Sequence, residues 1–362
     1  MTGIKSLGVI SRGKKADGTE FSGTNKRLTK LRARYEWQSA IPNCCQQEIL
    51  RDLDKAFSNF FRRVKKGETP GYPRGKRQGE LCRLYFPKQT FSIISDDENR
   101  KYLKLPKLPL IRIQWDREAL ENDADKIISC SVVYEYGNWF VCLLVEKTVD
   151  VVIRDLPAVG INRGIVHTVA LSDGTGYQID TAALKTLEDR KATLQRRLAR
   201  KVGSKKFEKK SGHWLRQKRA IDKLDSMMVG IRQNFNHQTS RDIVSNYGDI
   251  AIENYDIKKM TKSAAGTIDQ PGENVQVKAT FNRAQLRNSW GALGTMLTYK
   301  TARQGHMVTK TTVPYITQEC SSCGHIDPNN VSGGLRKFEC TKCGFSEDMD
   351  TNAALNVLHR SK

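Results

Sequence analysis

The chain has 362 residues and a formal net charge of +22 at neutral pH, from 61 lysines and arginines and 39 aspartates and glutamates. This length is enough for a large hydrophobic core and predicts two or three domains. The sequence shows no secretory leader and no apolar run of the roughly 20 residues that a membrane span needs, so we expect neither a secreted nor a membrane protein. The charge predicts attraction to a polyanion, with a merely solvated basic surface as the alternative.

The N-terminal region divides into a basic arm and a helix. The first 35 residues are basic and show no clear apolar period, which predicts a flexible arm or a remnant of something longer. Between Ile41 and Val64, apolar side chains recur at helical spacing, and Pro42 lies at the start, where its missing N–H costs little. A candidate nucleic-acid contact follows, formed by one aromatic ring and three cations: Tyr72, Arg74, Lys76 and Arg77. A simple exposed turn explains this segment equally well.

Residues 76–155 have a different pattern, in which short alternating stretches are separated by turn signals. The predicted strands are Leu84–Phe86, Leu110–Gln114, Ile127–Tyr134 and Trp139–Glu146. We interpret them as a compact β-barrel, with Trp139 in its core rather than on its surface as a base-stacking platform.

The region beyond a hinge at 155–157 alternates strands with helices. An apolar run ending at Asn162 predicts a strand buried on both faces, followed by its hairpin partner at 166–171. A second short buried strand ends at Glu253, and Met307–Val313 predicts a third. Between the first two, residues 181–245 predict basic helices that can follow a phosphate backbone, or else a solvated helical hairpin. Their candidate contacts are Arg190, Arg196, Arg197, Arg200, Lys201 and Arg216.

Four cysteines near the C-terminus have the spacing of a zinc ribbon. Cys320 and Cys323 form one pair, Cys340 and Cys343 form the other, and a glycine follows each pair directly. Thiolates at i and i+3 on two knuckles can converge tetrahedrally on one Zn²⁺. Four free cysteines are the weaker alternative.

Three separated positions could form a second site: Asn162, Glu253 and Asp350. Mg²⁺ takes oxygen ligands, and two-metal cleavage of a phosphodiester needs several carboxylates. Glu253 and Asp350 fit that role, whereas the neutral amide of Asn162 does not. Glu253 could also be an ordinary strand-end carboxylate, and we expect Asp350 to act as the N-cap of the last helix whatever else it does.

Taken together, these blocks resemble the three RuvC-type motifs and the zinc ribbon of the insertion-sequence TnpB (OrfB) family, the ancestor of type V CRISPR effectors. The carrying segments are Gly160–Ile165, Ile250–Tyr255, the two cysteine pairs and Asp350–Ala354. Segments upstream resemble further family blocks, so the resemblance covers residues from about 36 to 358.

The resemblance implies an α+β multidomain fold. We expect a basic arm and helical recognition-lobe remnant in 1–75, a wedge-like β-barrel in 76–155, and a RuvC-like (RNase H-like) α/β core in 156–316. A zinc ribbon inserted at 317–345 precedes the last RuvC-like motif and helix in 346–362. The implied cofactor is Zn²⁺, and the implied partners are a guide RNA and a double-stranded DNA target, with one protein per guide RNA in the prokaryotic cytoplasm, associated with the nucleoid.

One departure from the family changes the expected function. Family members carry aspartate where this chain has Asn162, so we expect Mg²⁺ not to be bound productively and cleavage to be lost. The chain then resembles the family's nuclease-dead derivatives, which act as RNA-guided transcriptional repressors. The alternatives are an active RNA-guided endonuclease of a transposable element, in which Asp173 or Asp348 substitutes, an engineered inactive form, and a relic without a function.

Overall fold

A computed structural model describes residues 21–75, 82–115, 127–146, 148, 151, 153–201, 210–267, 270–312, 314–331 and 336–361. The chain separates into two compact units, Met1–Thr148 and Val149–Lys362. The finer domain boundaries given above stay predictions. No helix in the described ranges is both long and apolar enough to cross a membrane.

The first unit begins with helices rather than with a flexible arm. The helices are α1 (Phe21–Arg34), α2 (Glu36–Ala40) and α3 (Asn43–Lys65). The expected arm is wrong for the residues of α1, because Leu28 is buried there and Arg32 donates hydrogen bonds to the backbone oxygen atoms of Gln38 and Ile41, at 3.0 and 2.8 Å. Residues 1–20 lie outside the described ranges. The helix predicted from residue 41 is confirmed, since α3 begins directly after Pro42.

The β-region of the first unit forms two antiparallel sheets. The strands are β1 (Cys82–Pro87), β2 (Ser92–Ser95), β3 (Lys101–Lys104), β4 (Ile111–Arg112), β5 (Ile127–Glu135) and β6 (Asn138–Val145). One sheet has the order β1-β5-β6 and the other β2-β3-β4. Phe86, Leu103 and Cys130 are fully buried in the core that the sheets share.

The expected barrel is not closed. In the described ranges, no hydrogen-bonded strand pair joins the two sheets, and β4 pairs with β3 over only two residues. Apolar burial, rather than a continuous ladder, therefore holds the sheets together. The interpretation of Trp139 as a core residue is also wrong: its side chain is 62% exposed and lies against Tyr134, with ring centroids 4.9 Å apart.

The second unit is built on a five-stranded sheet. Its strands are β7 (Val159–Asn162), β8 (Val169–Leu171), β9 (Gly176–Tyr177), β10 (Ile250–Glu253) and β11 (Val308–Thr311). The order is β11-β10-β7-β8-β9, parallel from β11 to β7 and antiparallel from β7 to β9. Every residue of β7, β8 and β10 is buried, which is typical of strands covered on both faces.

Helices connect and cover this sheet. They are α4 (Thr181–Ala199), α5 (Gly212–Asn246), α6 (Ile257–Met260), α7 (Val275–Arg287) and α8 (Trp290–Ala302). The basic helices predicted for 181–245 correspond to α4 and α5, which pack together through Leu184 and Met228. The ion pair between Lys191 and Asp225, at 2.5 Å, also joins them.

The C-terminal segment carries the cysteine pairs and ends in a helix. Strands β12 (Lys337–Glu339) and β13 (Ser346–Asp348) form an antiparallel ribbon, and α9 (Met349–His359) follows directly. Helix α9 approaches β7 so closely that a Cβ atom on Gly160 would lie 2.0 Å from the backbone oxygen of Ala354. Only glycine fits at this position, and the close approach fixes how α9 lies against β7.

Candidate functional site

Three predicted site residues lie at one edge of the five-stranded sheet, the acidic edge, where Asn162 and Asp350 are in contact. Asn162 ends β7, Glu253 ends β10, and these neighbouring parallel strands pair Ile161 with Ile252. Their side chains therefore leave the sheet at the same edge, where open α/β sheets commonly bind ligands. Asp350 comes from the first turn of α9. All three side chains are buried, with 5% or less of their surface exposed.

Asp350 is surrounded by hydrogen-bond donors. The Nδ2 atom of Asn162 donates to Asp350 Oδ1 at 3.1 Å. Arg336 donates to Asp350 Oδ2, and Nδ1 of His167 lies 3.2 Å from the same oxygen. Burial raises the pKa of Asp350, while Arg336 and His167 act against that shift. Burial outweighs these groups, so they compensate the charged carboxylate only in part.

Glu253 is held differently. Burial raises its pKa, opposed by a hydrogen bond from Tyr255 and by the positive charge of Arg163. The guanidinium of Arg163 donates to the backbone oxygen of Glu253 and lies 5.0 Å from the centroid of the Tyr255 ring. Among the described residues, the Oε2 atom of Glu253 is buried without a hydrogen-bond partner. A buried carboxylate oxygen without a partner is suited to binding a cation.

The N-cap of α9 is Asp348, which corrects the expectation for Asp350. Asp348 Oδ1 accepts hydrogen bonds from the backbone N–H groups of Asp350 and Thr351, at 2.9 and 3.1 Å. Because the cap lies two residues earlier, the side chain of Asp350 is free to point toward β7.

The two aspartates considered as substitutes for a missing carboxylate lie in different places. Ligand atoms of His167, Asp348 and Asp350 lie within 4.8 Å of one another. Asp173 instead accepts a hydrogen bond from the hydroxyl of Tyr247. Asp348 is therefore the candidate substitute that the geometry favours.

The acidic residues do not fit the three-carboxylate set that the family resemblance implies for Mg²⁺. Glu253 and Asp350 supply two carboxylates, but the third position is an amide whose N–H faces Asp350. A neutral amide binds a hard cation more weakly than a carboxylate does. The roles of these three residues in metal binding stay a prediction.

The four cysteines fit a metal such as zinc. Their Sγ atoms lie within 4.8 Å of one another, with Cys320 and Cys343 3.7 Å apart and Cys323 and Cys340 3.6 Å apart. A tetrahedron with Zn–S bonds of about 2.3 Å has sulfur–sulfur edges of about 3.8 Å, so the spacing is that of a closed tetrathiolate. The predicted glycine turns are present: Gly324 and Gly344 have φ angles of +71° and +72°.

The thiols of this cluster differ in their tendency to lose a proton. Burial raises the pKa of Cys320 to about 12. At Cys340, desolvation acts in the same direction, but the backbone N–H groups of Cys343 and Lys342 outweigh it and lower the pKa to about 6. Since a metal binds thiolates, loading this cluster releases protons, and acid weakens it.

The predicted nucleic-acid contacts lie on exposed surfaces where they are described. Tyr72 is 66% exposed and packs edge-on against Phe57 and Phe60. Of the predicted contacts, Arg190, Arg196 and Arg197 on α4, Arg200 directly after it and Arg216 on α5 are exposed, and Lys201 is half-buried. Arg74 is exposed, and Lys76 and Arg77 lie outside the described ranges. Contact with a nucleic acid stays a prediction for all of them.

Sequence reasoning missed three cationic or ionisable residues at the acidic edge: Arg163, His167 and Arg336. Arg163 directly follows Asn162, and a cation buried next to a buried strand end was an available signal. The other two gave no such signal, because Arg336 reaches Asp350 only through the fold of the ribbon and His167 lies in a loop.

Comparison with known proteins gives the family. Residues 140–264 match the family OrfB_IS605, described as "Probable transposase", and residues 290–357 match "Cas12f1-like, TNB domain". The chain is 32% identical over 324 residues to "Putative RNA-guided DNA endonuclease InsQ" of Escherichia coli (strain K12), covering 89% of this chain and 75% of that protein. It is 27% identical over 322 residues to "Putative RNA-guided DNA endonuclease" of Streptomyces pristinaespiralis, covering 88% and 72%.

A solved structure, "Cryo-EM structure of the Cas12f1-sgRNA-target DNA complex", aligns with 84% of this chain and 69% of its own at 16% identity and a TM-score of 0.48. The match to InsQ extends over most of both proteins. The chain belongs to the TnpB (OrfB) family.

Proposed function

We propose that the protein is an RNA-guided DNA-binding protein of the TnpB endonuclease type, and that its acidic site cuts the bound target poorly or not at all. Its partners would be a guide RNA and a double-stranded DNA target. Base pairing of the guide would supply the sequence specificity, while the protein reads the shape of the hybrid and a short flanking motif. Stable occupancy of a promoter without cutting would repress transcription.

Support for nucleic-acid binding comes from charge and from relatives. The net charge of +22 includes a row of exposed cations on α4, where Arg190 and Arg197 are two turns apart on one helix face. Cations along a helix add salt-dependent affinity for a phosphate backbone. The chain also matches more than two thirds of the length of two relatives that are named RNA-guided DNA endonucleases.

The observation that carries the loss of cutting is the hydrogen bond from Asn162 to Asp350, at 3.1 Å. An aspartate at position 162 would add a negative charge and an oxygen ligand at this buried edge. The amide instead offers a donor, which pairs with the carboxylate that a metal would need. With Arg336 also bound to Asp350, this carboxylate is paired with protein groups at the position where a metal would need it.

Binding is tested by isolating the protein with its RNA from cells and sequencing that RNA. We expect tight binding to a duplex that matches the guide segment and weak binding to a scrambled duplex. Arg190→Gln with Arg197→Gln should reduce the slope of log affinity against log salt by about 1 to 2. The charge-preserving pair Arg190→Lys and Arg197→Lys is the matched control. No bound RNA and no preference for the matched duplex would contradict the proposal.

The second candidate is an active endonuclease. The proximity of His167, Asp348 and Asp350 favours it, since Asp348 could replace the missing carboxylate. The names of the relatives also support this candidate better than they support a repressor. In this case the unaltered complex should cut a matched duplex when Mg²⁺ or Mn²⁺ is added.

Asp348→Asn separates the candidates, because asparagine keeps the N-cap of α9 but removes a charge. An active endonuclease should lose its cutting in this variant and keep it in the control Asp173→Asn, since Asp173 bonds to Tyr247 away from the cluster. Absence of cutting in the unaltered complex, with target binding intact, favours the first proposal.

A further inference from the structure

One face of α9, together with the residue that follows the helix, binds Glu319. Asn352, Asn356 and Arg360 are spaced four residues apart and share a helix face. The Nδ2 atoms of Asn352 and Asn356 each donate to the backbone oxygen of Glu319 at 2.8 Å. Arg360 donates to both carboxylate oxygens of Glu319, each at 2.8 Å. Two side chains of α9 and that of its C-cap residue, Arg360, thus converge on Glu319.

Glu319 directly precedes the first cysteine of the tetrathiolate cluster. The Oδ1 atom of Asn352 also accepts a hydrogen bond, at 3.0 Å, from the backbone N–H of Ser321, on the other side of Cys320. A single amide side chain therefore brackets the backbone of a metal-ligating cysteine. Asn352 and Asn356 are 0% and 3% exposed, so these hydrogen bonds are shielded from water.

The same helix carries Asp350 at its first turn, two residues before Asn352. The other face of α9 lies against β7, where the lack of a side chain on Gly160 leaves room for the backbone of Ala354. A continuous path of buried contacts therefore runs from Cys320 through α9 to the pair formed by Asp350 and Asn162.

We propose that Asn352 and Asn356 are positioning residues that couple metal loading of the four-cysteine cluster to the placement of α9, and through it to Asp350. A metal bound by Cys320 fixes the backbone of residues 319–321 and so presents the acceptor and the donor that these amides need. Because coupling between two sites is reciprocal, the amides also favour metal retention. The coupling does not depend on whether the protein cuts DNA.

The test is a cycle that combines zinc removal with the double variant Asn352→Ala, Asn356→Ala. Hydrogen–deuterium exchange is measured on α9 amides in full-length protein, before and after a chelator removes zinc. In the unaltered protein, zinc removal should speed α9 exchange about tenfold, because the buried hydrogen bonds lose their fixed partners. In the zinc-loaded double variant, exchange should already be about tenfold faster, and zinc removal should add less than about twofold.

A merely structural role of the two residues gives a different pattern, in which the effects of zinc removal and of substitution multiply. Such independence, or α9 exchange that ignores zinc in the unaltered protein, would overturn the proposal. Cobalt substitution supplies a second readout. The thiolate–Co²⁺ absorption spectrum should persist in the double variant, but the affinity of the cluster for Co²⁺ should fall about tenfold, the same factor as the change in exchange. If the double variant does not fold, Asn356→Ala alone keeps the bracket around Cys320 and should show part of the effect. Asn329→Ala, an exposed asparagine of the ribbon, is the matched control.

Discussion

The four-cysteine cluster and the acidic edge both adjoin α9, and they differ in how their charge is balanced. In the cluster, the four sulfur atoms lie together at tetrahedral spacing, so protons or a metal must balance the negative charge of the thiolates. At the acidic edge, Asp350 is already paired with Asn162 and Arg336. The cluster presents four sulfur ligands with no positive side chain paired to them in the contacts above, whereas at the acidic edge the carboxylate of Asp350 is already bound by protein donors. This difference is the physical basis for expecting binding without cutting.

The largest effect is expected at the cluster. Cys320→Ser should lower the affinity for zinc by more than about 100-fold, since losing a direct ligand should cost at least what losing its supporting hydrogen bonds does. Zinc content, measured by elemental analysis of purified protein, should fall from about one atom per chain to near zero. Cys142→Ser changes an exposed cysteine of β6 and should leave zinc content unchanged. Equal zinc content in both variants would show that the cluster is not the zinc site.

The next effect concerns the contact that places α9. Gly160→Ala would put a Cβ atom 2.0 Å from the backbone oxygen of Ala354 and 2.8 Å from the side chain of Leu358. We expect a loss of about 2 to 3 kcal/mol in the free energy of unfolding, measured by chemical denaturation, because backbone rather than a flexible side chain must move. Gly230→Ala, in the middle of α5 with open space around it, should instead gain about 0.5 to 1 kcal/mol. Similar results for the two variants would contradict the close approach of α9 to β7.

The smallest effect is expected at Glu253. Burial raises the pKa of this carboxyl, so folding disfavours its charged form relative to the unfolded chain. Stability is then fully present below the pKa of the unfolded chain, about 4.3, and is lost as pH rises through the higher native value. Glu253→Gln keeps the group neutral and should raise the free energy of unfolding by roughly 1 kcal/mol at pH 7, with the gain vanishing toward pH 4.

Denaturation at several pH values without added divalent ions measures this difference. Glu273→Gln, at an exposed glutamate, should change little at any pH. A glutamine variant at position 253 that is less stable at pH 7 would mean that pairing with Arg163 outweighs the cost of burial.

Local sequence signals predicted much of the second unit. The apolar runs ending at Asn162 and Glu253 are strands because both faces of the sheet are covered, and the cysteine spacing with its two glycines predicted the cluster. These features depend on residues close together in the chain. The three acidic-edge positions, by contrast, were grouped as element ends on separated segments and then matched to a family resemblance, since no local pattern joins Asn162 to Asp350, 188 residues away.

Features that depend on neighbours distant in sequence were not predictable in the same way. Helix α1 lacks an apolar period, but Leu28 is buried and Arg32 binds the chain that follows it. Trp139 has the large apolar side chain typical of a core residue, yet it lies on an exposed face of its sheet. The N-cap of α9 was misassigned by two residues, because both Asp348 and Asp350 are good caps and only backbone geometry decides between them.

The most direct test of the account is Asn162→Asp in the protein bound to its own guide RNA, incubated with Mg²⁺ and a matched DNA duplex. The account predicts no detectable cutting by the unaltered complex, cutting at least about 100-fold faster in Asn162→Asp, and target affinity that differs little between the two. Asn162→Ala, which removes the amide without supplying a carboxylate, should not cut. Cutting by the unaltered protein as fast as by Asn162→Asp would contradict the claim that Asn162 inactivates this site.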